Sequence, residues 1–283
     1  MKVLTETPAR RRSRHYPWGT SRPYNAYVDY LKREYGGRIQ KVTVNAGFTC
    51  PNRDGLKGYG GCIYCNNDSF NPPYCRPQMS IREQVSAGIS FLSRRYKVDK
   101  YFVYFQAYSN TYAPLEKLQE LYEQALSHPQ VVGLAIGTRP DCIDPQKLDY
   151  LQQLARDYHI SIEYGLESPY DRTLQWIHRQ HNFQSWVDAV EMTRNRGIDI
   201  CAHVILGFPV ESREEMLNTA GIISQYPLTD LKIHHLHITR KTILAKRYQE
   251  DEFPLFTLPE YLELVSEFLQ LLRPDGRIQR LCG

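Results

Sequence analysis

No stretch of this 283-residue chain stays apolar long enough to cross a bilayer; runs such as 204-VILGFPV-210 fall far short of the ~20 residues a spanning helix needs. The N-terminal MKVLTETPARRRSRHYPWG carries basic residues but no apolar core segment, so a secretory signal is not expected. Without such a signal, seven cysteines, an odd number, read as reduced cytosolic thiols and not as a disulfide framework. Internal repeats and low-complexity tracts are also missing. Surplus charge is scarce: the net +4 comes from residues 1–20, which hold Lys2, Arg10, Arg11, Arg12 and Arg14 against Glu6, and 30 basic and 30 acidic residues remain beyond them. Such an arm is able to touch phosphates, but a solvated tail explains it equally well. What the chain has in quantity is core material. It is 42% hydrophobic and 12% aromatic, with 21 tyrosines, which argues against disorder and fits one large domain or two small ones.

From residue 41 onward, short strand-like runs alternate with helix-like segments. The strands are expected at 41-KVTVNA-46, 101-YFVYFQA-107, 131-VVGLAIG-137, 160-ISIEYGL-166, 198-IDICAHVIL-206 and 231-LKIHHLHI-238. Most are too apolar for one-sided burial, as in a parallel sheet covered by helices. Helix starts are marked by capping boxes at Ser80 with Glu83 and Ser212 with Glu215, and by Asp144 ahead of Pro145. Six strand–helix repeats imply an α/β fold with right-handed crossovers, and the alternation alone fits a doubly wound sheet or a barrel. An N-terminal arm over residues 1–36, with a helix in 24-YNAYVDYLKREY-35, precedes the repeats. Helices at 242-TILAKRYQ-249 and 259-PEYLELVSEFLQLL-272 follow them, in a C-terminal extension over 241–283.

The most informative stretch is 47-GFTCPNRDGLKGYGGCIYCNNDSF-70. Cys50 falls just past the first strand, and a loop rich in glycine leads to Cys62 and Cys65. The C-terminal ends of parallel strands are where α/β active sites are built. Three thiolates without a nearby fourth are unusual for structural zinc, which closes its tetrahedron, and suit a 4Fe–4S cluster with one iron left open. Three other readings stay open here: zinc with Cys75 as a remote ligand, a redox Cys-x-x-Cys pair with Cys50 as bystander, and unrelated buried thiols.

Cys50, Cys62 and Cys65, with aromatic Tyr64 before the last of them, resemble the cluster loop of the radical S-adenosylmethionine (SAM) superfamily. Together, AGFTCPNRDG, GGCIYCNNDSF, YFQAYSNTYAP, GTRPDC, EYGLES and KIHHLHI resemble a small, uncharacterised bacterial subfamily. Its barrel is similar to the radical SAM domain of the Elongator catalytic subunit. The resemblance covers about residues 20–283 and implies a partial (β/α)6 TIM-like barrel over residues 37–240, with an N-terminal arm and C-terminal helices. It also implies a 4Fe–4S cluster on the three cysteines, with SAM as second cofactor. In that superfamily an electron cleaves SAM, and the resulting 5′-deoxyadenosyl radical takes a substrate hydrogen.

The resemblance further implies that Tyr64, Gln106, Glu163, Glu167, Arg179 and Gly207 bind the cofactor. Gln106 would meet the SAM amino group. Glu163 and Glu167 would meet ribose hydroxyls or the ammonium, and Gly207 would flank the adenine. Arg179 of 179-RQH-181 would bind the SAM carboxylate, although Gln180 stands where the pattern has glycine. Two of these readings also have plain alternatives: a polar strand end for Gln106, a surface ion pair for the glutamates. Arg139, His235 and His237 are substrate candidates; an ion pair to Asp141 and a satisfied core histidine are the alternatives. Alternation puts His235 and His237 on one face of the sixth strand and His234 on the other.

The resulting expectation is a cytoplasmic radical SAM enzyme, served by an electron donor such as flavodoxin or ferredoxin. The similarity to Elongator points to the wobble uridine of tRNA, with Tyr16, Tyr24, Tyr27 and Tyr30 offering stacking surfaces. Rival readings are a radical SAM reaction on a small metabolite and a non-catalytic Fe–S or zinc protein that binds nucleic acid. No acetyltransferase segment follows the barrel in this sequence. Relatives are expected to continue beyond 278-IQRLCG-283, so the chain is either naturally short or cut.

Overall fold

The structure is a computed structural model and describes residues 15–66, 72–76 and 78–282. The basic cluster at Lys2, Arg10, Arg11, Arg12 and Arg14 and the 67-NDSF-70 end of the cysteine motif lie outside the described residues. Seven strands form one sheet: β1 (Ile39–Val44), β2 (Lys100–Phe105), β3 (Val131–Thr138), β4 (His159–Glu167), β5 (Asp199–Leu206), β6 (Asp230–His235) and β7 (Arg277–Arg280). They follow one another in sequence order and every pair is parallel, which gives a curled half-barrel with β1 and β7 at its edges.

Helices fill the connections: α1 (Tyr27–Tyr35), α2 (Ile81–Ser93), α3 (Leu115–Leu126), α4 (Pro145–Leu154), α5 (Asp171–Trp176), α6 (Phe183–Thr193), α7 (Arg213–Ile223), α8 (Ile243–Glu250) and α9 (Leu258–Leu271). The Ser80/Glu83 and Ser212/Glu215 capping boxes start α2 and α7, and Asp144 caps α4 ahead of Pro145. A further box, Thr257 with Glu260, starts α9.

The outward faces of the strands carry Val42, Val103, Leu134, Ile162, Val204 and Ile233, all fully buried against helices such as α3 and α6. Each such side chain contributes roughly 1.5–3 kcal/mol by leaving water. The inward faces differ. At the N-terminal end of the strands, Tyr27 and Leu31 of α1 seal the interior against Ile39 and Phe102. Above this plug the inward residues turn polar.

The segment after residue 240 is not only helical. Its last element, β7, pairs with β6, and Ile278 also bridges to Ala26 just before α1. Arg277 reaches Asp199 at 2.6 Å and Asp230 at 2.8 Å, and its guanidinium lies 3.9 Å from the Tyr30 ring. Tyr27 and Tyr30 are therefore committed to this end of the barrel and are not stacking surfaces for a base. None of the described helices is long and apolar enough to cross a membrane.

Candidate active site

At the C-terminal ends of the strands the sheet curls around a cavity of about 550 Å³, inside the ~300–1,000 Å³ usual for ligand sites. The cysteine loop forms one wall. The Cys50 carbonyl accepts from the N–H groups of Arg53 and Asp54, and Gly61 N–H donates to the Asn52 carbonyl at 2.8 Å. Ile63 then ties the loop to its surroundings: its N–H donates to Ile177, and its carbonyl accepts from Leu244 at the start of α8. Gly61 has φ +84°, and a Cβ there would lie 2.8 Å from Arg53 Nε, so a side chain is excluded on both counts. The loop brings Cys50, Cys62 and Cys65 to the same cavity.

Cys62 Sγ accepts from Arg179 Nη1 at 3.5 Å and from Asn52 Nδ2 at 3.7 Å. Burial, with Cys62 beside it, pushes the Cys65 thiol up. Cys75 stands apart from the cavity lining, donates to the Thr43 carbonyl at 3.0 Å, and is pushed to about 11 by burial. Three convergent thiols with cationic and amide donors beside them fit a three-ligand 4Fe–4S cluster.

Arg179 links this wall to β4. It sits between His178 (φ +56°) and Gln180 (φ +59°), two left-handed residues that turn its side chain inward. Gln180 thus adopts the conformation that the glycine of the related pattern would take without strain. Three of the five Arg179 N–H groups donate, to Cys62 Sγ, the Gly165 carbonyl and His181, and its Nη2 also pairs with Glu167 at 3.2 Å. That leaves little of the fork expected to hold a carboxylate. Burial and the nearby arginines hold His181 down at about 3, so it accepts from Arg179 as a neutral ring. A Cβ at Gly165 would meet Arg179 Nη2 at 2.3 Å and Glu167 Oε1 at 2.6 Å. Glu167, at φ +67°, ends β4 on the cavity wall.

Below this level lies a charged floor. Glu163 is 1% exposed and pairs with Lys41 at 2.9 Å, with His203 at 3.0 Å and with Lys232. Lys232 also donates to Tyr104 Oη, and Lys41 to Gln279 of β7. Despite the cost of burial, the lysines and His203 hold the Glu163 carboxyl well below its usual range. Burial lowers Lys232 to about 8 in the face of its attraction to Glu163. Glu163, Cys201 and His203 have donor atoms within 4.8 Å of one another. Two ammonium groups already occupy the carboxylate, so the group is an ion-pair centre and not a metal cage.

Several expected roles change accordingly. Glu163 faces inward and lines the cavity one layer beneath the rim, its oxygens shared by Lys41, His203 and Lys232. Arg139 borders the cavity but is 2% exposed, grips Asp141 through two bonds of 2.8 Å and braces the loop by donating to the Arg179 carbonyl. Gly207, at φ +107°, lies outside the cavity lining, facing Phe256 and Leu236; Ile205 and Leu236 supply the apolar wall there. His234 shares the inward face of β6 with Lys232 and lies 5.2 Å from His203, ring to ring. His235, at the end of the strand, packs 4.7 Å from Tyr261 of α9, and both it and His237 beyond the strand border the cavity. Gln106 and Tyr64 both line the cavity, Tyr64 beside Phe208.

A profile described as the radical SAM superfamily matches residues 46–223, and a radical SAM C-terminal domain matches residues 229–283. The chain belongs to the radical SAM superfamily. As a radical SAM enzyme it has a 4Fe–4S cluster and SAM as cofactors. It is 33% identical to the uncharacterized protein YtqA of Bacillus subtilis over 93% of this chain and 82% of that one. To the protein YhcC of Escherichia coli K12 it is 35% identical, over 91% and 82%. A tRNA uridine(34) acetyltransferase of Methanocaldococcus infernus is 24% identical over 59% of this chain, but only 31% of the acetyltransferase is matched. Among solved structures, Elp3 of that archaeon superposes with a TM-score of 0.65 at 18% identity, covering 85% of this chain and 56% of that one. Coproporphyrinogen III oxidase from Escherichia coli superposes with 0.56 at 14%, covering 90% and 58%. These two likenesses show the shared fold.

The charged floor of this radical SAM barrel was not anticipated from the sequence. Lys41, Lys232 and His203 are far apart in the chain and meet only through register. One signal was present: a lysine at 232, two residues before His234 and so on its face.

Proposed function

We propose that Cys50, Cys62 and Cys65 hold the cluster and that the enzyme takes a hydrogen from a nucleoside of tRNA, the wobble uridine. Held by these three cysteines, a 4Fe–4S cluster would supply the one-electron reduction that opens SAM for hydrogen abstraction. The chain's own residues bind, orient and exclude water. Arg179 and Asn52 donate to Cys62 Sγ and so hold that sulfur in the cavity wall where it would meet the cluster. Glu167 and Gln106, on the cavity wall, offer acceptors to the ammonium and ribose hydroxyls of SAM. Tyr64, Ile205 and Leu236 give the adenine an apolar seat. His237 and the floor face the remaining space, where the substrate would sit.

The convergence of three thiols on one SAM-sized cavity carries the cofactor assignment. The tRNA assignment is supported by the similarity to a tRNA uridine(34) acetyltransferase over 59% of the chain. Flavodoxin or ferredoxin is the proposed electron donor. Reconstituted protein given dithionite and SAM should release 5′-deoxyadenosine, and Cys50→Ala should not; equal behaviour of the two would remove the cluster assignment. Mass spectrometry of tRNA nucleosides from a deletion strain tests the substrate. An unchanged nucleoside profile would move the assignment to a small metabolite.

A further inference from the structure

The inner wall formed by β5, β6 and β7 carries more positive charge than it neutralises. Arg280 of β7 lines the cavity, Lys232 of β6 lies beneath it with Lys41 reaching across from β1, and the carboxylate between the lysines, Glu163, is already shared by both of them and His203. The other acids nearby are taken: Asp199 and Asp230 pair with Arg277, and Glu167 pairs with Arg179. Arg280 lines the cavity close enough for its charge to be felt by His234 and Tyr104, and its guanidinium has no hydrogen bond or ion pair to a described residue. His234 Nε2 is buried with no partner. Burial and the charges of His203, Arg280 and Lys232 lower His234 to about 2, so it is a neutral ring with one N–H to offer. A free guanidinium and an orphaned imidazole edge, above a buried ammonium that is 4% exposed, lack one thing: an acceptor carrying negative charge.

We propose that Arg280 and His234 form an oxyanion subsite that holds a carboxylate or phosphate group of the molecule whose hydrogen is removed. The proposal rests on the reading of the cavity as the site of hydrogen abstraction, and it names the chemical class of the substrate there. Arg280 supplies the guanidinium fork at the rim, and the His234 ring lines the cavity beside it, its buried Nε2 coming to bear on the anion by a turn of the ring. Lys232 and Lys41 set the positive potential from below, with Glu163 keeping both ammonium groups in place. A carboxylate would come from a small organic acid, and a phosphate from a nucleotide.

The test is calorimetric titration of the reconstituted, SAM-saturated enzyme with three probes: inorganic phosphate, succinate and its uncharged analogue succinamide. SAM fills the place of its own carboxylate, and no turnover is needed. The wild type should bind phosphate or succinate at least 10-fold more tightly than succinamide. Arg280→Gln, at an exposed position where folding is not at risk, and His234→Gln should each weaken the oxyanion about 10-fold. A response to phosphate alone supports a nucleotide source, and a response to succinate alone supports an organic acid. Equal binding of succinamide, no binding of either anion, or unchanged affinity in both variants overturns the subsite. Whether the wild type cleaves SAM is measured separately, so failure of the hydrogen-abstraction reading is distinguishable from failure of the subsite.

Discussion

Replacing Lys232 by Met should change how stability depends on pH, in a direction that the buried floor dictates. Lys232 is 4% exposed, and its pKa falls from 10.5 to about 8 because burial outweighs its attraction to Glu163. Between these two values the unfolded chain holds the proton and the native chain does not, so stability rises with pH across that window. Below about 8 both states are protonated, and the cost of the buried charge is fully present. Above 10.5 both are neutral, and the cost is gone. At about 1.4 kcal/mol per pH unit, the fall from 10.5 to about 8 amounts to about 3 kcal/mol. Many buried tyrosines titrate higher, but they are common to both proteins and cancel in the difference. The assay is urea unfolding of the cluster-free protein, kept reduced, for wild type and Lys232→Met from roughly pH 7 to 10.5. The wild type should gain on the variant by about 3 kcal/mol over that range. A flat difference, or one that falls with pH, would refute the claim that Lys232 sits as a strained buried ammonium.

Three further outcomes are expected. Gly165→Ala should drive Arg179 and Glu167 apart, since the new Cβ would lie 2.3 Å from Arg179 Nη2, and the measurable loss is in SAM affinity and in the absorbance of the reconstituted cluster. Arg179→Gln removes a charge-assisted donor from Cys62 Sγ, so the midpoint potential of the cluster should move negative, as read by redox titration with electron paramagnetic resonance; an unmoved potential would mean that the contact is only structural. Ser212→Ala, which removes the first cap of α7, should cost about 1 kcal/mol in unfolding without changing the SAM site.

The six repeats were legible because each of the first six strands sends an apolar face to the helices, which makes Val, Ile and Tyr dense at short intervals. The seventh was not. In 277-RIQR-280 only Ile278 enters the core. Arg277 and Gln279 are polar because they answer Asp230, Asp199 and Lys41 inside the barrel, and such a strand reads as surface loop. The cysteine trio was legible because its spacing is local. The fate of Glu163 was not, because its partners Lys41, Lys232 and His203 lie 122, 69 and 40 residues away. For the sixth strand, alternation separated His234 from His235 correctly but did not say which face was inner. Lys232 decides that, through its bond to Glu163. Arg139 shows the limit from the other side: its local partner Asp141 was visible in the sequence, yet its bond to the Arg179 carbonyl, which makes it a brace, was not.

The bridge between Ala26 and Ile278, with Ile278 N–H donating to the Asn25 carbonyl at 2.7 Å, sets an order of assembly. The cysteines appear early in synthesis, but the wall opposite them and the latch that holds α1 in the barrel mouth depend on residues made some two hundred positions later. Closing so long a loop is slow. A nascent chain therefore exposes the three thiols of the cysteine loop well before β7 is made to complete the wall opposite them.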